Sequence, residues 1–288
     1  MPDMHAHHDH DHEPGSPISF TGERVLPDIP EWAWCFQAHL FGYEDLATRM
    51  PAGARVLDIG CGEGYGAARL ATDATSVAAT DVAPDAVAHA AAKYTGDRIA
   101  FLVSDGTRLP FRDATFDVVC SLQVIEHFTG TDEHLADVAR VMKPGGMYYV
   151  TTPNISKMGE AERDNPYHVR DFDAADLRGS LQRHFGSVEL SGMFYVETSP
   201  RVRAMEAAEA KEEKLRPRVA RVENTLAKLP GAVRVRVRGA ARALLGIRRW
   251  PLPEAEAARN AIVAEDFYAG TPAEESFCLI GIARAPKV

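Results

Sequence analysis

The feature that most constrains this 288-residue chain is a regular alternation of strand-like and helix-like stretches that begins at Arg55. Strand character recurs in "RVLDI" (55–59), "SVAATD" (76–81), "IAFLVSD" (99–105), "FDVVCS" (116–121), "GMYYVTT" (146–152) and "SVELSGMFY" (187–195). A last buried run, "SFCLIGIARA", follows at 276–285. Helical patterns fill the gaps. "PDAVAHAAAKY" opens on Pro84, which suits a first helical turn, and is rich in alanine. "TDEHLADVARVM" carries a capping residue at its start and sets Leu135, Val138, Ala139 and Met142 on one face, and "KPGG" stops it. "DAADLRGSLQRHF" (173–185) is the third. Such alternation predicts an α/β fold, a doubly wound, mostly parallel seven-stranded sheet with helices on both faces. Ligands of such sheets bind beyond the carboxyl ends of the strands, at the switch point by the first strand.

At that point stands "DIGCGEGYG". A dinucleotide fingerprint reads G-x-G-x-x-G, whereas Gly60, Gly62, Gly64 and Gly66 give G-x-G-x-G-x-G, the wrong register for the third glycine. Charge adds a second argument. Asp58 precedes the loop and Glu63 lies inside it, and two carboxylates repel a pyrophosphate but welcome an ammonium or a sulfonium. Asp81 closes the second strand, where an acid accepts hydrogen bonds from ribose hydroxyls of any adenosine-containing ligand. Asp105 closes the third, within reach of an adenine amino group. A nicotinamide oxidoreductase is disfavoured by loop register and charge together.

These stretches resemble the class I S-adenosylmethionine-dependent methyltransferases. "VLDIGCGEGYGAARLA" is similar to the family's first motif and "ATDVAPDAVAHA" to its ribose-binding motif. "VSDGTRLPFRDATFDVVCSLQVIEHF" and "LADVARVMKPGGMYYVTTPN" resemble the elements that follow. The resemblance covers about 50–196 and 276–285 and implies a Rossmann-like fold with S-adenosyl-L-methionine as cofactor. It implies that Asp58, Gly60, Cys61, Gly62 and Gly64 surround the methionine part, that Asp81 and Val82 hold ribose and adenine, and that Asp105 and Gly106 hold the adenine. Gln123 would line the sulfonium side. Ala83 departs from the polar capping residue common at its position, which weakens a helix start without touching chemistry.

Methyl transfer is an in-line displacement, so positioning supplies much of the catalysis. A hydroxyl acceptor also needs a general base, for which histidine is the usual choice. His134 lies inside a helical pattern and His184 near the end of another, and both read as surface residues. His127, in "VIEHF", lies near the cofactor, with a structural role as the competing reading. His168, in "NPYHVRDF", follows the fifth strand at the mouth of the site, among Asn165, Tyr167, Arg170 and Asp171, residues of the kind sugar binding requires. His168 and His127 are therefore the catalytic candidates. The sequence offers no defined metal-ligand set, and no metal is expected.

"SFTGERVLPDIPEWAWCFQAHLFGY" (19–43), together with "NPYHVRDF", resembles a subgroup associated with glycan and surface-polysaccharide biosynthesis, which includes sugar O-methyltransferases. That comparison implies that His39 and Tyr43 close over the methionine end of the cofactor, near Glu23 and Arg24. A helix docking Trp32 and Trp34 into the core explains the aromatic positions equally well. The function expected is O-methylation of a hydroxyl on a glycan, glycoconjugate or small molecule. C-methylation of a lipid quinone-like ring and a non-catalytic cofactor-binding protein are the alternatives.

The organisation expected is a disordered His-rich tail (1–18), an N-terminal helical cap (19–49), the methyltransferase domain (50–199), a basic helical insertion (200–272) and a closing strand (273–288). Charge singles out the insertion. Residues 201–250 hold fourteen Arg or Lys against five Glu, a surplus of nine, so the rest of the chain carries −18 within a total of −9. Arg234, Arg238 and Arg242 recur at helical spacing, yet "VRVRVR" also alternates with period two. A solvated lid, a contact for an anionic membrane or lipid-linked substrate, and a partner patch are the three readings. No aromatic interleaving supports nucleic acid. Four scattered cysteines without CxxC spacing, and the lack of an apolar span or signal-like start, point to a cytoplasmic chain.

Overall fold

The computed structural model describes residues 24–29, 32–158, 165, 167–228 and 253–287. The His-rich tail, Glu23 and the Arg234–Arg238–Arg242 recurrence lie outside them.

Eight strands form one sheet: β1 (Arg55–Ile59), β2 (Ser76–Asp81), β3 (Ile99–Val103), β4 (Phe116–Leu122), β5 (Met142–Pro153), β6 (Phe185–Tyr195), β7 (Phe267–Gly270) and β8 (Cys278–Pro286), in the order β3-β2-β1-β4-β5-β8-β6-β7. The first five are parallel, and β8 runs antiparallel between β5 and β6. The strand count exceeds the expected seven by β7, a four-residue edge strand. "FYAG" is too short to show a period, and the chain rejoins the sheet there rather than at 273.

Helices cover the sheet: α1 (Ala33–Arg49), α2 (Tyr65–Leu70), α3 (Pro84–Lys93), α4 (Thr131–Val141) and α5 (Ala174–His184). Val56, Leu57 and Ile59 of β1 are wholly buried, as a central parallel strand requires. Leu57 and Ile59 pack in one cluster with Leu135 and Val138 of α4 and Leu177 and Leu181 of α5. α4 is capped by Gly130 rather than by Thr131, which is the first helical residue; the Thr131 hydroxyl donates back to the Phe128 carbonyl at 3.4 Å. Ala83 caps α3 without a side-chain bond, and its own N–H donates to Asp81 Oδ1 at 2.9 Å.

The chain divides into two compact units, the second comprising 27–37 and 195–266. Within this second unit α6 (Pro200–Ala227) is capped by the Ser199 hydroxyl, which accepts from the N–H groups of Arg201 and Val202. α6 pairs with α7 (Pro253–Asn260) through a small apolar cluster of Val219 and Ala255, and through Lys211 on Glu254 and Arg259 on Glu209 and Glu212. Trp34 is buried, its ring 6.5 Å from that of Tyr195. Among the described residues no helix is long and apolar enough to cross a membrane.

Candidate active site

The parallel register brings the carboxyl ends of β1, β2 and β4 side by side, with Asp58 opposite Ala79 on one flank and Cys120 on the other. β1 runs into the glycine loop, whose Gly60 and Cys61 N–H groups both donate to the Thr80 carbonyl, at 2.7 and 2.9 Å. Gly60 has φ +74°, and a Cβ there would lie 2.4 Å from Val124 Cγ2, so neither conformation nor space admits another residue. Cys61, Gly62 and Gly64 continue the loop. Asp81 faces it: Oδ2 accepts from the Gly62 N–H and Oδ1 from the Ala83 N–H, each at 2.9 Å. Val82 beside it is 72% exposed, and Val103 at the end of the neighbouring strand is exposed to a lesser degree.

α1 supplies a cover. Tyr43 is buried, and its hydroxyl donates towards Asp58 Oδ1 and Oδ2 at 3.3 and 3.4 Å. A Cβ on Gly66 would fall 1.9 Å from the Tyr43 ring, so the last glycine of the motif makes room for α1 rather than for a ligand. His39 Nδ1 lies 2.9 Å from the Tyr65 hydroxyl, and burial lowers the His39 pKa to about 4. Asp58 is wholly buried, with Cys120 Sγ donating to it at 3.4 Å, and burial raises its carboxyl to about 7.

Glu63 departs from the expected pair of carboxylates beside the ligand. Its carboxylate does not face the ligand side of the loop. It is buried against α3, taking bonds from Lys93 Nζ at 2.6 Å and the Tyr94 hydroxyl at 2.8 Å, with His89 Nε2 at 3.2 Å. A buried carboxylate must find donors, and α3 supplies three. Asp58 and Asp81 are left as the acids beside the loop.

Asp105 is exposed after β3 and spends Oδ1 on the Thr107 N–H and hydroxyl. Gly106 is tied down from below by His134, and this also departs from expectation. His134 is not on the surface but wholly buried on the face that carries Val138. Its Nδ1 is 2.8 Å from the Gly106 carbonyl, its Nε2 3.1 Å from the Tyr148 hydroxyl, and that hydroxyl 2.6 Å from Ser121 Oγ. Burial lowers its pKa to about 4, so the ring is neutral. His184 lies 3.2 Å from Asp132, which also binds Arg183, in a pairing of α4 with α5.

After β4 the chain turns at Gln123, whose φ of +57° is unusual for a residue with a side chain. The Gln123 amide donates to Thr151 Oγ1 at 3.1 Å and Cys278 Sγ at 3.2 Å, so its nitrogen braces β5 and β8. Next come Glu126 and His127. Glu126 is 1% exposed, its Oε2 accepts from Thr152 at 3.0 Å, and burial raises its pKa. His127 Nδ1 lies 2.9 Å from the Tyr167 carbonyl. The loop bearing His168 returns to this place, because the Val169 and Arg170 N–H groups donate to the Glu126 carbonyl at 3.0 and 3.1 Å. His168 Nδ1 is 3.0 Å from Asp171 Oδ1, and the His127 and His168 rings meet edge to face at 5.3 Å. Candidate metal-ligand atoms of Glu126, His127 and His168 lie within 4.8 Å of one another. Glu126 escaped the sequence reading; an acid among the apolar residues of "VIEHF" was the available signal.

A five-stranded parallel array with a left-handed glycine loop at its switch point, an acid at the end of β2 and an exposed valine beside it defines a nucleoside-cofactor-binding α/β fold. The family described as "Methyltransferase domain" matches residues 57–150. A probable S-adenosylmethionine-dependent methyltransferase of Mycobacterium tuberculosis is 37% identical over 193 residues, 66% of this chain and 68% of that one. The chain belongs to the S-adenosylmethionine-dependent methyltransferases, and S-adenosylmethionine is its cofactor. It is also 33% identical over 116 residues, 40% of this chain and 47% of the other, to a ubiquinone biosynthesis O-methyltransferase of Rhizobium rhizogenes. Among solved structures, phosphoethanolamine N-methyltransferase 2 of Haemonchus contortus has the same fold, with a TM-score of 0.52 and 19% identity, over 89% of this chain and 57% of that one.

Proposed function

We propose that the enzyme methylates a hydroxyl oxygen of a glycan, glycoconjugate or small molecule, with His168 as proton acceptor and His127 beside it. The observation that carries this reading is the bond between His168 Nδ1 and Asp171 at 3.0 Å. A carboxylate at that nitrogen keeps the proton on Nδ1, presents the Nε2 electron pair to a substrate, and stabilises the imidazolium that forms. Bound S-adenosylmethionine would supply an electrophilic methyl carbon and a neutral thioether as leaving group. The acceptor oxygen forms the new bond while its proton passes to His168. The relative from Rhizobium rhizogenes is an O-methyltransferase, which supports oxygen as the atom modified.

In this reading Asp58, Gly60, Cys61, Gly62 and Gly64, with His39 and Tyr43, surround the methionine part. Asp81 and Val82 take the ribose and adenine, Asp105 and Gly106 the adenine, and Gln123 the sulfonium side. The basic stretch 201–250 contacts an anionic surface or a lipid-linked acceptor from the cytoplasm; its part at 229–250 holds six Arg and no acid. Labelled S-adenosylmethionine with fractionated cell extract identifies the acceptor. On it, His168→Ala lowers kcat by about 10²–10⁴ with cofactor affinity little changed, the usual span for a lost general base. Label on nitrogen or carbon, or a loss below tenfold, overturns the reading.

A further inference from the structure

Glu126, His127 and His168 come from two segments well apart in the chain, yet their candidate ligand atoms lie within 4.8 Å of one another. We propose that these three side chains bind a divalent transition-metal ion of the zinc, cobalt or iron type. Two imidazoles and one carboxylate form a donor set that suits such ions and leaves coordination positions open. All-oxygen donors, which magnesium and calcium prefer, are not what this cluster offers.

The surroundings favour the same conclusion. Ligands of bound metals are held by outer partners that fix ring orientation and tautomer. Here each ligand has one. Thr152 Oγ1 donates to Glu126 Oε2 and holds the carboxylate in place. The Tyr167 carbonyl lies 2.9 Å from His127 Nδ1, and the Asp171 carboxylate 3.0 Å from His168 Nδ1. Both contacts put the proton on Nδ1 and the electron pair on Nε2, as a metal-bound neutral imidazole requires. The second is a carboxylate–histidine pair, an arrangement that fixes the tautomer and ring orientation of a metal ligand. The cluster is also anchored: the Val169 and Arg170 N–H groups bond the Glu126 carbonyl, and Asn165 Oδ1 accepts from the Tyr167 N–H. Bond lengths of roughly 2.0–2.2 Å require the ligand atoms to close towards one another when the ion binds. A cation also compensates a Glu126 carboxylate that is 1% exposed.

For catalysis, the inference rests on the hydroxyl reading and changes the part His168 plays in it. With Nε2 holding the ion, His168 would no longer take the proton there; the cation would instead lower the pKa of an acceptor oxygen at an open position, whose proton would leave to water. The metal-binding claim itself needs no acceptor.

The test titrates Co²⁺ alone into the full chain with His5, His7, His8, His10 and His12 replaced by alanine, so that the tail cannot bind it. One ion per chain is expected, with visible absorption bands of coordinated Co²⁺. Glu126→Gln and His168→Ala each weaken binding by at least about tenfold, and Asp171→Asn by about 10–100-fold, the range for an outer partner. Calorimetry with S-adenosylhomocysteine checks that each variant is folded. Lack of Co²⁺ binding by the parent, or equal binding by folded Glu126→Gln and His168→Ala variants, overturns the proposal. One ion bound at these residues in a protein that methylates only nitrogen or carbon upholds the site and overturns the hydroxyl reading instead.

Discussion

Replacing Lys93 by methionine tests which way Glu63 faces. The Glu63 side chain is 2% exposed and is held by Lys93 Nζ at 2.6 Å, the Tyr94 hydroxyl at 2.8 Å and His89 Nε2 at 3.2 Å. Removing one partner of a fully buried ion pair costs about 3–5 kcal/mol, because the remaining charge is left without compensation. The Lys93 side chain is 38% exposed, so water already screens part of the pair, and Tyr94 still donates. Those two facts bring the expected loss for Lys93→Met to about 2 kcal/mol. Glu63→Gln keeps the shape and loses the charge, for about 1–2 kcal/mol. Joining the two changes removes the stranded carboxylate, so the double variant should be more stable than Lys93→Met by about 1 kcal/mol, a departure from additivity expected of touching residues. Urea unfolding followed by circular dichroism reads these values, and calorimetry with S-adenosylhomocysteine on the same samples reads affinity, which should barely change in Glu63→Gln. Additive losses refute the pairing. A tenfold weaker cofactor affinity in Glu63→Gln at an unchanged unfolding midpoint would return Glu63 to the cofactor side of the loop.

Asp81→Ala removes the acceptor for the Gly62 and Ala83 N–H groups as well as for a ribose, and should weaken S-adenosylhomocysteine binding by about 1–3 kcal/mol in calorimetry; an unchanged Kd sinks the assignment. Asp58 has a carboxyl raised to about 7 by burial, and a bound sulfonium and ammonium favour its ionised form. Protonation at lower pH therefore opposes binding, so S-adenosylmethionine affinity should fall as pH drops through 7, towards about tenfold per unit, while Asp58→Asn stays flat. A flat profile in the wild type counts against Asp58. His134→Ala opens a cavity, unpairs the Gly106 carbonyl and leaves the Tyr148 hydroxyl with Ser121 alone, so the unfolding free energy should drop by about 2–4 kcal/mol, and a loss below 1 kcal/mol would deny the buried chain of bonds a structural role.

What the sequence determined by itself was local. Period and punctuation are properties of neighbouring residues, so "RVLDI" and "SVAATD" gave strands with the bounds observed, and Asp58, Asp81 and Asp105 could be assigned to the ends of three successive strands. The glycine register likewise argued against a dinucleotide before any contact was known. Direction and meeting were decided only by the tertiary structure. Glu63 turns to α3 because that helix brings three donors to a buried carboxylate, and no spacing within the loop encodes their arrival. His134 reads as a surface residue until α4 lies on the sheet and puts Gly106 and Tyr148 at its two nitrogens. Glu126 and His127 meet His168 only because two backbone N–H groups of a distant loop bond the Glu126 carbonyl. A periodic pattern specifies which face of an element is buried, but which side chains converge there depends on the path of the chain between elements, which no local pattern contains.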